Sequence, residues 1–233
     1  MLTGVQILTR AGILLQDEGH VRWPLPELVH WINEAVDAIL LAKPSASSAS
    51  ITIPMVAGTL QSVPQSGTPT PLRLMGITRN ITAAGPPRVG GRAIRPVIRS
   101  LLDTSQPQWH DPRYVPFRKE VRQFIFDEEN PLEFYVYPGN DGSGMVEGIV
   151  STRPAALAAS GPEDDIASYA GSVGLPEVYS GAMVDYVAYR AQQKDDFAAN
   201  TGRAAVHYQT FATAMGIKIQ TEAATSPNRD RKR

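Results

Sequence analysis

A chain of 233 residues can bury one large core or two smaller ones without covalent staples. Its 22 lysines and arginines stand against 23 aspartates and glutamates, so there is no basic excess of the kind that grips a phosphate backbone. Cysteine is absent, which excludes disulfide scaffolds, zinc ribbons and thiol catalysis, and fits assembly in a reducing cytoplasm. No apolar run approaches the roughly 18 residues of a membrane span, and residues 1–15 carry only Arg10 as a basic group, inside the apolar pattern, unlike a secretory signal. The expectation is a soluble, intracellular protein of mixed structure, without membrane contact and without a cofactor.

Residues 1–44 are expected to be helical. Thr3 and Gln6 have capping-box spacing, and Val5, Leu8, Gly12 and Leu15 give one apolar face. A second helix follows from Leu28, Trp31, Ile32, Ala35, Val36, Ile39 and Leu40, one stripe at helical spacing. Pro26 suits its first turn, Glu27 the positive end of its dipole, and Pro44 stops it. The stretch QDEGHVRWPLPELVHWINEAV, residues 16–36, crowds two histidines and four carboxylates together. A helical zinc site uses His at i and i+4, but only Glu34 lies at i+4 from His30, and His20 precedes Pro24. His30, Asn33, Glu34 and Asp37 therefore read as a solvated face, with Trp31 turned inward.

The segment SASSAS, 45–50, reads as a hinge. Short strands are predicted from 51 to about 153: ITIPMV, TLQSV, LRLMGITRNI, RQFIFD, LEFYVYPG and MVEGIVS. Pro54 marks an edge strand. Gln123–Phe126 and Leu132–Tyr137 read as a hairpin across DEENP, with Asp127, Glu128 and Glu129 at its solvated tip. A short helix is placed at Ile94–Asp103. RVGGRAI lacks the GK[ST] ending of a phosphate loop and reads as a flexible turn before that helix. NDGSG reads as a hairpin turn, because the twelfth position counted from Asn140 is Ser151 where a calcium loop needs Glu. His110 and His207 lie far from any serine in an elbow context, and no nucleophile, base and oxyanion hole assemble.

After an Ala/Gly/Pro/Ser-rich connection, 154–174, the apolar face of Tyr179, Ala182, Met183, Tyr186 and Val187 predicts a third long helix. Asp195 and Asp196 are positioned to cap a last helix bearing Phe197, Ala204, Tyr208, Phe211, Ala212 and Met215, ended by Gly216. Residues 218–233 show no apolar period, end on RDRKR, and are expected to be disordered in the free chain. The pattern as a whole predicts an α+β fold. Segments 1–48 and 174–217 form a helical bundle, its core packed by Leu28, Trp31, Ile32, Tyr179, Met183, Tyr186, Tyr208 and Phe211. An antiparallel β-rich domain with its connection, 49–173, is inserted between them, and 218–233 is a basic tail.

Taken in order, LLQDEGHVRWPLPELVHWINEAVDAILLAKP, VIRSLLDTSQPQWHDP, FYVYPG and LPEVYSGAMVDYVAYRAQQKDDFAANTGRAAVHYQTFATAMG resemble the head-to-tail adaptor proteins of short-tailed bacteriophages, also called tail tubular protein A or neck gatekeeper proteins. The resemblance omits the serine hinge, the first strands and the basic tail. It implies a virion protein assembled in the host cytoplasm, with no catalytic residues and no cofactor. It further implies a ring, expected to be dodecameric, beneath the portal protein. The tail nozzle protein docks below, a tail fibre or spike attaches on the flank, and genomic DNA passes transiently through the lumen. Related adaptors insert their tails into portals, so Arg229, Arg231, Lys232 and Arg233 are candidate portal contacts. Two alternatives stand beside this reading. One is a DNA-binding accessory module using Arg88, Arg92, Arg95, Arg99 and the tail; the other is a morphogenesis hydrolase built on Glu27, His30 and Glu34.

Overall fold

A computed structural model describes residues 1–66, 69–127, 129–194 and 201–225, the side chains of 217–225 excepted. The helices are α1 (Gly4–Leu15), α2 (Leu25–Ala42), α3 (Arg99–Ser105), α4 (Ser180–Gln193) and α5 (Thr201–Thr225). The strands are β1 (Ser48–Pro54), β2 (Ala57–Ser62), β3 (Thr70–Ala83), β4 (Val89–Ala93), β5 (Arg95–Pro96), β6 (Gln123–Phe126), β7 (Glu133–Asp141) and β8 (Met145–Arg153). This is an α+β chain, and it divides into two compact units: Met1–Ser47 with Pro154–Arg233, and Ser48–Arg153.

In the first unit α1 begins as its sequence dictates. Thr3 Oγ1 accepts from the Gln6 amide, and Gln6 Oε1 accepts from the Thr3 amide at 3.0 Å. Ile7 and Ala11 turn inward beside Leu8, Gly12 and Leu15, so Val5, expected on this face, is only half-buried. In α2 the stripe from Leu28 to Leu40 is buried throughout, and one core joins it to α1, to α4 and to Phe211 and Met215 of α5. Each such large side chain withdrawn from water stabilises the fold by about 1.5–3 kcal/mol before its ordering cost.

Two expectations fail in this unit. Gly216 does not end the last helix, which runs on to Thr225, so 218–225 are helical where disorder was expected. A glycine permits the left-handed cap but does not impose it. Residues 154–173, grouped by composition with the inserted segment, belong with the helices, and Leu157, Tyr169 and Val173 are buried there. Their backbone is satisfied from α2 and from the chain start. Asn33 Nδ2 donates to the Leu157 carbonyl at 3.0 Å, Asn33 Oδ1 accepts from the Leu157 amide at 2.8 Å, and the Val173 amide donates to the Leu2 carbonyl at 2.9 Å. Asp195, Asp196 and Phe197 lie outside the described residues.

The second unit stacks two four-stranded sheets, ordered β1-β8-β3-β4 and β2-β7-β6-β5. Ile53, Leu74, Ile77, Val146 and Val150 of the first sheet share a core with Phe124, Phe134 and Val136 of the second. On the other side of β6 and β7, α3 and the following turn cover Ile125, Tyr135 and Tyr137 with Leu102 and Trp109. Alternation along β6 does this directly: Phe124 faces one core and Ile125 the other. The expected hairpin is present, Gln123 pairing with Tyr137 and Phe126 with Phe134, and β1, with Pro54, is an edge strand.

Four expectations are corrected here. The short helix begins at Arg99, not Ile94, because Arg95 and Pro96 are extended and pair with β6. That pairing is parallel, so the block is not purely antiparallel. RVGGRAI is strand, not turn: the Arg79 side chain lies across Gly90, where a Cβ would stand 2.5 Å from its Nη1. NDGSG is not a hairpin turn, since β7 and β8 belong to different sheets and the segment carries the chain from one to the other. Asn140 holds that corner. Fully buried, its Nδ2 donates to the carbonyls of Arg118 (3.1 Å) and Lys119 (2.8 Å), and its Oδ1 accepts from Gly142 (2.8 Å) and Gly144 (3.2 Å).

Candidate functional site

Several polar groups of the crowded stretch 16–36 fasten the chain. Asp17 Oδ1 accepts from the Val21 amide (3.1 Å) and Oδ2 from Arg22 (2.9 Å) and Trp23 (3.0 Å), which shapes the chain before α2. Partial burial opposes its charge, but the three amides prevail and hold this carboxyl below its ordinary value. Trp23 is thereby set in the core, with its Nε1 donating to the Ala191 carbonyl at 3.2 Å. The face expected to be simply solvated is partly engaged. Glu34 meets Arg190 of α4 at 2.9 Å and His30 at 3.2 Å, Glu27 meets Lys194 at 2.7 Å, and Asn33 pins Leu157 as described. Opposite charges on facing helices did this; a single-helix projection cannot show it. His20 lies apart in a left-handed conformation, and among the described residues no group of three or more His, Asp or Glu could hold a metal ion.

The remaining histidines also sit in local packing. His110 stacks on Trp109 at 3.6 Å between centroids, and its Nδ1 lies 2.7 Å from Thr59 Oγ1. Burial, then the Arg99 charge, holds its imidazole below the ordinary value, against the opposing pull of Asp103. His207 of α5 meets Asp185 of α4 at 2.9 Å.

Of the residues expected in the helical core, Leu28, Trp31, Ile32, Tyr179, Met183 and Phe211 are buried. Tyr186 is half-buried against Phe211, with ring centroids 5.1 Å apart. Tyr208 is a correction. It is 50% exposed and leans on Tyr189 at 5.0 Å, because α5 turns Ala204, Phe211 and Met215 toward the core and leaves Tyr208 at the rim.

The arginines of the middle segment do not act as one patch. Arg79 and Arg88 converge on Glu147, at 2.8 Å and 3.3 Å, and Arg79 first among its donors holds that carboxyl below its usual range. Arg99 pairs with Asp103 at 3.6 Å. Arg92 and Arg95 instead join Arg122, with Ala93, Gln123 and Tyr137, around a cleft of about 420 Å³. Sequence reading missed Arg122, because only the register Arg95↔Gln123 brings it alongside.

A family model described as SU10 adaptor protein matches residues 3–231, nearly the whole chain. The chain belongs to the SU10 adaptor protein family. This is a family of structural bacteriophage adaptors, which places the protein among virion components that join other head and tail proteins. No curated protein matches it. The adaptor also exposes apolar side chains suited to contact, including Ile98 just before α3, Leu101 on α3, Leu41 on α2 and Val178. The candidate portal contacts Arg229, Arg231, Lys232 and Arg233 lie outside the described residues. No helix of the described adaptor is long and apolar enough to cross a membrane.

Proposed function

We propose that this chain is a head-to-tail connector of a short-tailed bacteriophage, working by shape and mutual adhesion without transforming a substrate. The family match across residues 3–231 carries the reading. In it, the N- and C-terminal segments make a helical bundle, with a β-rich domain inserted between its halves. Copies close into a dodecameric ring beneath the portal protein, the tail nozzle docks below, and fibres or spikes attach on the flank. Genomic DNA crosses the lumen, where a net charge of -1 leaves phosphates free to slide. Arg229, Arg231, Lys232 and Arg233 order on acidic groups of the portal.

Ring closure requires one surface of each subunit to meet a different surface of the next. The edge strands β1 and β2 and the exposed apolar Ile98 and Leu101 at the start of α3 are surfaces of the right kind. The test is electron microscopy of mature particles with the protein gold-labelled. A collar of label under one capsid vertex is expected; particles without label at the neck refute the reading. A chain ending at Thr225 should attach to portal rings more weakly than the full chain, and equal attachment removes the role of the tail.

A further inference from the structure

We propose that the arginine cleft of the β-rich unit receives the acidic turn at Glu163 and Asp164 of a second copy of this chain. The proposal rests on the ring reading above and names one of its contacts. Arg92 stands on β4, Arg95 on β5 and Arg122 just before β6; the Arg95 amide donating to the Arg122 carbonyl at 3.1 Å keeps the last two side by side. All three are exposed and line the same cleft. Among the described residues none of them forms an ion pair or a side-chain hydrogen bond. Their neighbours differ: Arg79 and Arg88 are taken by Glu147, Arg99 by Asp103 and Arg113 by Asp111. Three adjacent guanidinium forks without a carboxylate make a site for one, since each fork matches a carboxylate with two parallel hydrogen bonds.

The complement is carried on the other unit. Glu163 and Asp164 are exposed and likewise form no side-chain hydrogen bond or ion pair among the described residues. Their turn is built in advance. The Asp165 amide donates to Pro162 at 3.2 Å, Tyr169 Oη donates to the Glu163 carbonyl at 3.0 Å, and both Ser160 Oγ and its amide donate to the Ser168 carbonyl. A preformed acidic turn loses little freedom on docking. Cleft and turn are different surfaces, so the contact is heterologous and repeats from copy to copy. A nucleic-acid strand fits less well. It calls for charge repeated along a track, and the arginines flanking the cleft are already neutralised by Glu147 and Asp103.

The test is sedimentation velocity of the full chain across concentration and salt. Its variants are Arg95→Glu with Arg122→Glu, Glu163→Lys with Asp164→Lys, and one chain carrying all four changes. Asp165 is left intact because its side chain caps the turn at Ala167. Circular dichroism checks that each variant is folded. Wild type should self-associate more weakly as salt rises, each paired reversal should weaken association about tenfold or more, and the fourfold variant should regain most of it. The proposal is overturned if wild type stays monomeric throughout, if either paired variant associates like wild type, or if the fourfold variant does not recover. If Arg95→Glu with Arg122→Glu abolishes binding of a short DNA duplex while association is unchanged, the cleft serves nucleic acid and the proposal falls. Neck labelling tests the adaptor reading separately: labelled necks with reversal-insensitive association overturn this contact alone.

Discussion

Asn140→Ala is the most informative single change in the β-rich unit. The native side chain closes the corner between the two sheets by serving four backbone groups at 2.8–3.2 Å, two as donor and two as acceptor. Truncation strips all four. The groups of Arg118, Lys119 and Gly142 lie on exposed residues, where water can replace the lost partner, so each costs an ordinary hydrogen bond. The Gly144 amide is buried and is left stranded. With about 1 kcal/mol for each of the first three and about 1–3 kcal/mol for the fourth, the expected loss is roughly 4–6 kcal/mol before local relaxation. Amide hydrogen exchange read by mass spectrometry suits the question, because it reports β7 and β8 separately from the helices. Peptides from those strands should exchange at least about a hundredfold faster than in wild type, with α2 peptides unchanged. A change within about threefold would refute the idea that this one amide holds the corner. Asn140→Asp refines the test. It keeps an acceptor for Gly142 and Gly144 but points an oxygen at two carbonyls, so its folded pKa must rise above the unfolded one. Its stability is then greatest below the unfolded value and falls as pH rises through the folded value, so this variant should approach wild type only in acid.

Three further outcomes follow from the same geometry. Asp17 has a folded pKa below its ordinary value, so its stabilisation is present above that value and is lost as pH falls through the folded one. The stability gap between wild type and Asp17→Asn, measured by urea titration at successive pH values, should therefore close on acidification. Gly4→Ala would put a Cβ 2.6 Å from the Tyr169 carbonyl and 2.5 Å from Leu157; backbone cannot yield as a side chain does, and thermal unfolding should show a loss of about 1–3 kcal/mol. Met183→Ala, fully buried, should cost about 2–5 kcal/mol in denaturant titration, whereas Tyr208→Ala, half-exposed at the rim, should cost under about 1 kcal/mol.

Where the determinants are local, the sequence is readable. The capping box at Thr3 and Gln6 and the stripe from Leu28 to Leu40 need no knowledge of the rest of the chain. The β6–β7 hairpin is similar, since its register follows from alternation and a short turn. The failures share a cause, which is that the deciding partner is distant. Gly90 and Gly91 have turn composition, but antiparallel pairing with the distant β3, Gly90 opposite Ile81, makes their segment a strand. NDGSG has the composition of a hairpin, and only the separate pairing of β7 and β8 makes it a crossover. The small polar residues of 154–173 look like a free connection until Asn33 is seen holding Leu157. At the candidate interface, Arg92 and Arg95 were visible as charges, but their grouping with Arg122 depends on a parallel register that leaves no periodic trace.

The pairing of β1 with β8 sets Ser48 directly across from Ser151, so the β-rich unit starts and finishes at nearly the same point. A block with coincident ends behaves as a cassette. It can be shortened, enlarged or exchanged during evolution without stretching the flanking chain, which leaves one helical frame free to carry β-blocks of different size on different viruses.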